Sequence, residues 1–326
     1  MAKKVIGSYE LLDELTTKNA GFSRWGFCKK DGHEYFIKEF LTPVYPIEQG
    51  PLSESQFNRK RDICNSYYTE QNTFYDVLRK CRTGNNVIIE DFFRHNSRYY
   101  VVTDKVAAPR VSIAQIADYD RDKKEVLIRS VLYSMAALHD HRIIHADIKP
   151  DNILTISTQN GYCTAKIIDF DSGFMAYNQP QDVTGDQVYF APETYLRLSG
   201  EDVELTDRID IFALGILFHQ YWSGSLPKIN GEQTYVCEAV LNDTEVILSK
   251  NIPADIREMI QQMLSKEPSK RPSARELLEK FSEKDCSRKV PVKPVYPDPV
   301  EPPPQKEPSA PTQTTRKSFY IPDDLG

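Results

Sequence analysis

The stretch His145-Ala146-Asp147-Ile148-Lys149-Pro150-Asp151-Asn152 places an acid, a base and an amide at fixed offsets in one short loop. Asp147 can accept a proton from a hydroxyl group, Lys149 can neutralise a transferring phosphoryl group, and Asn152 can hold a metal through its side-chain oxygen. Apolar pairs on both sides, Ile143-Ile144 and Ile153-Leu154, predict short buried strands that hold the loop at the edge of a core. The loop therefore suits phosphoryl transfer, although a polar turn between two apolar segments has the same composition.

Other elements accompany this loop in a fixed order along the chain. An alternating segment, 34–40, predicts a strand that carries Lys38. After the loop come Asp169-Phe170-Asp171, then Ala191-Pro192-Glu193, an apolar segment that begins at Asp210, and Lys270-Arg271-Pro272. This set resembles the eukaryotic-type (Hanks-type) serine/threonine protein kinase family, with its H-R-D-L-x-x-x-N loop and its V-A-I-K, D-F-G and A-P-E elements.

The resemblance implies a role for each matching residue, with ATP and Mg²⁺ (or Mn²⁺) as cofactors and a protein as substrate. Asp147 would be the catalytic base and Lys149 the charge stabiliser, while Asn152 and Asp169 would hold the metal. Lys149 in the loop favours Ser/Thr hydroxyls as acceptors. His145 would brace the loop, Asp210 would anchor its backbone, and Arg271 would pair with Glu193.

On the nucleotide side, the resemblance assigns the α and β phosphates of ATP to Lys38. Its ion-pair partner should be a glutamate on the next helix, and we predict Glu70 within the periodic segment 57–78, with Asp62 and Asp76 as alternatives. The remaining predicted nucleotide contacts are Gly21 in the phosphate loop and the hinge residues Asp104 and Val106.

Four positions depart from the family pattern. The phosphate loop keeps only Gly21 and Gly26 of the G-x-G-x-x-G pattern. Ala146 replaces the Arg of H-R-D, which predicts activation without a phosphate docked against the loop. Asp171 replaces the Gly of D-F-G. Counting back from Glu193 puts Asp186 where the family has a substrate-side Thr, with Thr184 as the alternative if the loop is displaced.

The implied fold is α+β and two-lobed, with a small β-rich N-lobe (8–103) and a larger helical C-lobe (107–283) forming one kinase domain, 8–283. Residues 285–326 are proline-rich with no long apolar periodicity, which predicts a disordered tail. Its end, 316–326, regains aromatic and aliphatic residues, so we expect it to contact a partner or its own domain.

Composition limits the other function classes. The net charge of −6 gives no electrostatic case for nucleic acid or for an anionic membrane. The longest apolar run, 211–218, is too short to span a bilayer, and the first residues lack the apolar core of a signal peptide. Six cysteines without paired short spacing favour a reducing, cytoplasmic location.

Two rival hypotheses stay open. A pseudokinase scaffold, binding nucleotide or partners without efficient transfer, is favoured by the altered phosphate loop and by Asp171. A small-molecule phosphotransferase shares the H-x-D-x-x-x-x-N loop, but Ala191-Pro192-Glu193 argues against it.

Overall fold

The computed structural model describes residues 4–18, 23–48, 50–81, 83–87, 89–106, 110–158 and 162–283. The proposed tail, 285–326, lies outside these residues. The chain divides into two compact units. Within the described residues, the first unit holds 4–81 and 87–106, and the second holds 83–86 and 110–283.

The first unit is built on a six-stranded antiparallel sheet in the order β1-β2-β3-β4-β6-β5. Its strands are β1 (Val5–Ile6), β2 (Tyr9–Leu11), β3 (Ser23–Lys30), β4 (His33–Phe40), β5 (Ile89–His95) and β6 (Arg98–Asp104). The strand predicted from alternation over 34–40 is confirmed as β4. Strands β1 and β2 form a short hairpin, in which Gly7 turns the chain at φ +61°.

One helix, α1 (Glu54–Lys80), accompanies this sheet. It starts at a capping box, in which the Ser53 hydroxyl accepts from the Gln56 amide and the Gln56 side chain accepts from the Ser53 amide. Its buried positions, Cys64, Phe74, Tyr75 and Leu78, form one helical stripe. On the sheet, Cys28, Ile37 and Val102 are completely buried and mark the core face.

The second unit is mainly helical, with a few short strands. In chain order its elements are α2 (Ile113–Ala117), α3 (Arg121–Asp140), β7 (Ile143–Ile144), β8 (Ile153–Ser157), β9 (Cys163–Ile167), β10 (Phe174–Met175), α4 (Pro192–Leu198), α5 (Arg208–Ser223), β11 (Lys228–Ile229), α6 (Val236–Leu241), β12 (Val246–Ile247), α7 (Ala254–Met263) and α8 (Ala274–Glu283). A β-rich unit followed by a helical unit confirms the predicted α+β class.

Helix α5 is the centre of the second unit. Its residues from Ile209 to His219 are all buried, so an all-round apolar helix lies inside the unit. Asp210 is the acid within this apolar stretch, with 1% of its surface exposed. A charge in such a place needs hydrogen-bond partners. They are two backbone amides of the loop after β7 and Nε2 of His139 on α3, which lies 3.0 Å from the carboxylate. Among the described helices, none combines the length and the apolar character that crossing a membrane requires.

Candidate active site

The loop between β7 and β8 holds Asp147 by hydrogen bonds to its carboxylate. Oδ2 accepts from Lys149 Nζ and from Asn152 Nδ2, both at 2.8 Å. Oδ1 accepts from the backbone amide of Asp186 at 3.1 Å. Because three donors converge on one carboxylate, its direction is set before any substrate arrives.

Beneath this carboxylate, the loop backbone is fixed from two sides. The Asp210 carboxylate accepts from the amides of His145 at 2.9 Å and Ala146 at 2.8 Å. His145 is fully buried, and its Nε2 lies 3.1 Å from the Ile168 carbonyl oxygen. The Asp147 amide donates to His145 Nδ1 at 3.3 Å, which makes Nε2 the protonated nitrogen. The predicted bracing role of His145 and anchoring role of Asp210 are both confirmed.

The two predicted metal ligands lie at the same end of a strand pair. Strand β8 pairs with β9 from Ile153↔Ile167, and the Ile168 amide donates to the Asn152 carbonyl at 2.9 Å. Asp169 follows Ile168 directly and has φ +61°, an uncommon value for an aspartate. Because Nδ2 of Asn152 is used by Asp147, the amide presents its oxygen away from that carboxylate. Hard oxygen donors of this kind suit Mg²⁺.

A buried ion pair closes the far end of the Asp169–Glu193 segment. Both guanidinium nitrogens of Arg271 donate to Glu193, at 2.6 and 2.9 Å. Arg271 also donates to backbone carbonyls of Ser265, Lys266 and Arg208, so its charge and its donors are all engaged. The predicted Arg271–Glu193 pair is confirmed in bidentate form.

Hydrogen bonds from side chains to backbone carbonyls hold the middle of the same segment. The side-chain amide of Gln179 donates to the carbonyls of Ala176 and Leu205, both at 2.9 Å, and accepts from the Leu205 amide at 3.0 Å. Arg197 donates to the Pro180 carbonyl at 2.9 Å. Ser172 and Thr184 share a hydrogen bond of 3.0 Å. The middle of the segment is therefore held by side-chain hydrogen bonds of Gln179 and Arg197 to the backbone.

In the first unit, Lys38 lies on the sheet face opposite Cys28, Ile37 and Val102, beside its buried ladder partner Val101. Residues directly opposite one another in an antiparallel pair point to the same side. Lys38 faces Trp25 across the ladder, and Phe36 faces Phe27, so the three rings share the side of Lys38. These half-buried rings contact one another with centroids 5.7–6.1 Å apart. We call Trp25, Phe27 and Phe36 the aromatic trio.

The structure does not bring Glu70 to Lys38. Helix α1 presents Glu70 on its exposed face. The buried stripe passes through Phe74, Tyr75 and Leu78, and a step of one residue turns a side chain by about 100°. A position on the same turn as this stripe is Gln71, which is half-buried. Glu70 therefore carries the right charge on the wrong side of the helix.

Of the other three predicted nucleotide contacts, the structure describes two, Asp104 and Val106. Asp104 ends β6 opposite Tyr35, and Val106 follows it outside the ladder. Between them, Lys105 binds Glu34 at 2.6 Å and lies 4.7 Å from the centre of the Phe27 ring, which connects the predicted hinge to the aromatic trio. Gly21 lies outside the described residues.

Comparison with known families decides the identity of the chain. The protein kinase domain family model matches residues 55–281, which is more than half of the chain. The chain belongs to the eukaryotic-type protein kinase family. Its fold is accordingly the protein kinase fold, with the β-rich N-terminal sheet and the helical C-terminal region described above.

Individual relatives of this kinase are distant. A probable serine/threonine-protein kinase from Dictyostelium discoideum is 26% identical over 270 residues, which cover 77% of this chain and 16% of the relative. Calcium-dependent protein kinase 4 from Plasmodium berghei is 28% identical over 214 residues, covering 64% and 35%. A serine/threonine-protein kinase from Caenorhabditis briggsae is 22% identical over 246 residues, covering 74% and 30%. The chain thus spans between about a sixth and about a third of these relatives' lengths.

Sequence reasoning missed two parts of this kinase's site. The first is the amide of Asp186, since a backbone donor has no signature in the sequence. The second is the aromatic trio, which could have been predicted because side chains two residues apart along a strand lie on the same face. Trp25 and Phe27 alternate along β3, and Phe36 and Lys38 alternate along β4, so each pair shares a face.

Proposed function

We propose that this kinase transfers the γ-phosphoryl group of ATP to Ser or Thr hydroxyls of protein substrates. The observation that carries the proposal is the Asp147 carboxylate, oriented at 2.8 Å by both Lys149 and Asn152. A carboxylate with 12% of its side chain exposed is accessible to a hydroxyl group yet cannot turn away from it. Phosphoryl transfer depends mostly on such positioning and on charge stabilisation.

Each residue has a task that follows from its place. Asp147 accepts the proton of the attacking hydroxyl as the hydroxyl oxygen bonds to the γ-phosphorus and the bond from that phosphorus to the bridging oxygen breaks, so that ADP leaves. Lys149, beside it, offsets the negative charge of the transferring group. Asn152 and Asp169 supply oxygen ligands for Mg²⁺ or Mn²⁺, and Lys38 supplies a positive charge for the phosphates. A bound divalent ion would neutralise the charge of the β and γ phosphates.

The substrate class rests on the position of the basic residue. Lys149 reaches Asp147 from two residues further along the same loop, which is the arrangement that favours Ser/Thr acceptors in the family. For the location, we propose a reducing compartment such as the cytoplasm, in keeping with the five cysteines of the described residues, which are free and buried. A contact of the terminal segment 316–326 with a partner remains a proposal from sequence.

One observation favours a second candidate, a scaffold that binds partners with little phosphotransfer. The aromatic trio includes Phe36, which stands at the Ala of V-A-I-K, directly beside Lys38. A large ring at this position takes up volume on the face that presents the lysine. The intact arrangement around Asp147 opposes this hypothesis, because a scaffold has no use for an oriented base.

The test is incubation of the full chain with γ-labelled ATP, Mg²⁺ or Mn²⁺, and several proteins, followed by identification of the labelled amino acid. The proposal predicts label on Ser or Thr, and transfer lower by orders of magnitude in Asp147→Asn, whose amide cannot accept the proton as a base does. Label on Tyr would correct the substrate class. Transfer no greater than that of Asp147→Asn, with each metal and each protein, would favour the scaffold.

A further inference from the structure

Asp186 contacts the Asp147 carboxylate through its backbone. The Asp186 amide donates to Oδ1 at 3.1 Å, while Lys149 and Asn152 occupy Oδ2. Removing the Asp186 amide would leave Oδ1 without this donor, although Oδ2 kept both of its own. The carboxylate could then rotate about its Oδ2 contacts.

The Asp186 side chain is directed to another task. Its Oδ1 accepts from the Val188 amide at 3.0 Å and caps the short 3₁₀ turn Gln187–Tyr189. A carboxylate cannot donate to another carboxylate when both are ionised. The hydrogen bond from residue 186 to Asp147 is made by its backbone N–H.

Gly185 makes this approach possible. Its φ is +138°, in the region that side chains disfavour. A Cβ atom there would lie 2.9 Å from Phe190 Cε1, 3.2 Å from the Ala146 carbonyl oxygen and 3.3 Å from Asp147 Oδ1. Two of these three neighbours belong to the catalytic loop. A side chain at 185 would therefore push against Asp147 Oδ1, the atom to which the Asp186 amide donates.

We propose that the Gly185–Asp186 peptide is a positioning element, which orients the Asp147 carboxylate toward the acceptor hydroxyl through the backbone N–H of Asp186. The inference rests on the proposed function, because it assigns Asp147 the role of base. It makes Asp186 a positioning residue whose amide matters and whose side chain has a separate, local role.

A pair of variants at position 186 separates amide from side chain. Asp186→Ala removes the cap on Val188 but keeps the N–H, whereas Asp186→Pro removes both. The native φ of −90° lies close to the range that proline accepts. We expect kcat of the proline variant to fall below that of the alanine variant by about 10- to 100-fold, with KM for ATP equal in both, since small misplacements of reacting groups have effects of this size.

A second pair tests Gly185 against another glycine with a positive φ. Gly200 has φ +93° and nothing within 4 Å of an added Cβ. Gly200→Ala therefore measures the conformational penalty alone, and Gly185→Ala adds the pressure on Asp147. The inference predicts a kcat loss of at least about tenfold in Gly185→Ala beyond that in Gly200→Ala. Equal kcat values in the two would contradict it, provided that melting temperatures show both chains folded.

Hydrogen exchange of the Asp186 amide does not depend on phosphoryl transfer, so it tests this inference separately from the proposed function. In full-length protein labelled with ¹⁵N-aspartate, the Asp186 amide should exchange slowly with solvent, and Asp147→Ala should speed its exchange at least about tenfold. If the Asp186 amide exchanges slowly and Asp147→Ala speeds its exchange, but the protein transfers no phosphoryl group, the positioning element holds and the proposed function is overturned. Transfer with equal kcat in Asp186→Pro and Asp186→Ala, or an amide whose exchange ignores Asp147→Ala, would overturn the positioning element.

Discussion

The loop around Asp147 and the sheet face around Lys38 hold polar groups that the family uses together, yet they are built very differently. Asp147 has hydrogen-bond donors at 2.8 to 3.1 Å, and a buried acid, Asp210, fixes the backbone below it. Lys38 shares its face with three aromatic rings, and the predicted partner Glu70 is exposed. The first site matches the family closely, and the second departs from it.

This contrast separates the chemical step from nucleotide binding. The groups that orient Asp147 and position the proposed metal ligands come from β7 to α5 of one unit. The strand lysine depends on neighbours whose size has changed, with Phe36 in place of Ala. We therefore expect an intact transfer step and altered ATP affinity, and the following variants test the two halves in turn.

The largest effect on folding should come from breaking the buried ion pair of the helical unit. Arg271→Ala leaves the Glu193 carboxylate buried without its partner, and loss of one member of such a pair destabilises by about 3–5 kcal/mol. Chemical denaturation of the full chain measures the change. The adjacent control, Lys270→Ala, removes an exposed pair with Glu267 and should change the unfolding free energy by less than about 1 kcal/mol. Equal effects in the two variants would mean that the pair does not stabilise this unit.

A moderate effect, on binding alone, is expected at the aromatic trio. Phe36→Ala restores the small side chain of the family beside Lys38, so the dissociation constant for ATP should fall by up to about tenfold, or about 1.4 kcal/mol. Titration with ATP and Mg²⁺ gives this value directly. Tyr35→Ala is the matched control, because Tyr35 is the next residue of β4 and packs with the core on the other side of the sheet. Weaker ATP binding in Phe36→Ala than in the control would show that the rings support the nucleotide instead of occupying its space.

A smaller effect should follow removal of phosphate from the chain. Ala146 has no charge to bind a phosphate, and Gln179 and Arg197 hold the segment through neutral hydrogen-bond acceptors. Phosphatase treatment should therefore leave most of the activity in place. Measuring transfer before and after treatment, with mass spectrometry of Ser172, Thr184 and Tyr189, checks this expectation. A large loss that rephosphorylation of these residues reverses would contradict it.

The smallest effect is expected at Glu70. Since the side chain is exposed on α1, Glu70→Gln should alter the unfolding free energy by no more than about 0.5 kcal/mol and leave KM for ATP unchanged. If Glu70 formed the predicted ion pair with Lys38, Glu70→Gln would instead raise KM for ATP as Lys38→Met does, by a smaller factor. A KM rise in Glu70→Gln matching that of Lys38→Met would restore the pair and weaken the contrast between the two sites.

Short sequence motifs predicted the residues around Asp147 well. The contacts that the sequence did not predict, at Glu70 and at the Asp186 amide, depend on packing between distant segments. Asp147, Asn152 and Asp169 sit in short motifs whose spacing determines their contacts, so their neighbourhood was predictable. Glu70 was chosen for its charge, but the rotation of α1 against the sheet depends on Phe74, Tyr75 and Leu78. The Asp186 amide could not be predicted, since every residue other than proline has one and only the folded segment directs this one at Asp147.

The most direct test of the contrast is the rate of phosphoryl transfer as a function of ATP concentration in the wild type, Asp147→Asn and Phe36→Ala. We predict that wild type reaches a kcat at saturating ATP that Asp147→Asn lowers by orders of magnitude, while Phe36→Ala keeps that kcat and reaches it at lower ATP concentrations. If wild type transfers no faster than Asp147→Asn even at saturating ATP, the oriented carboxylate is not a working base, and the intact half of the comparison is wrong.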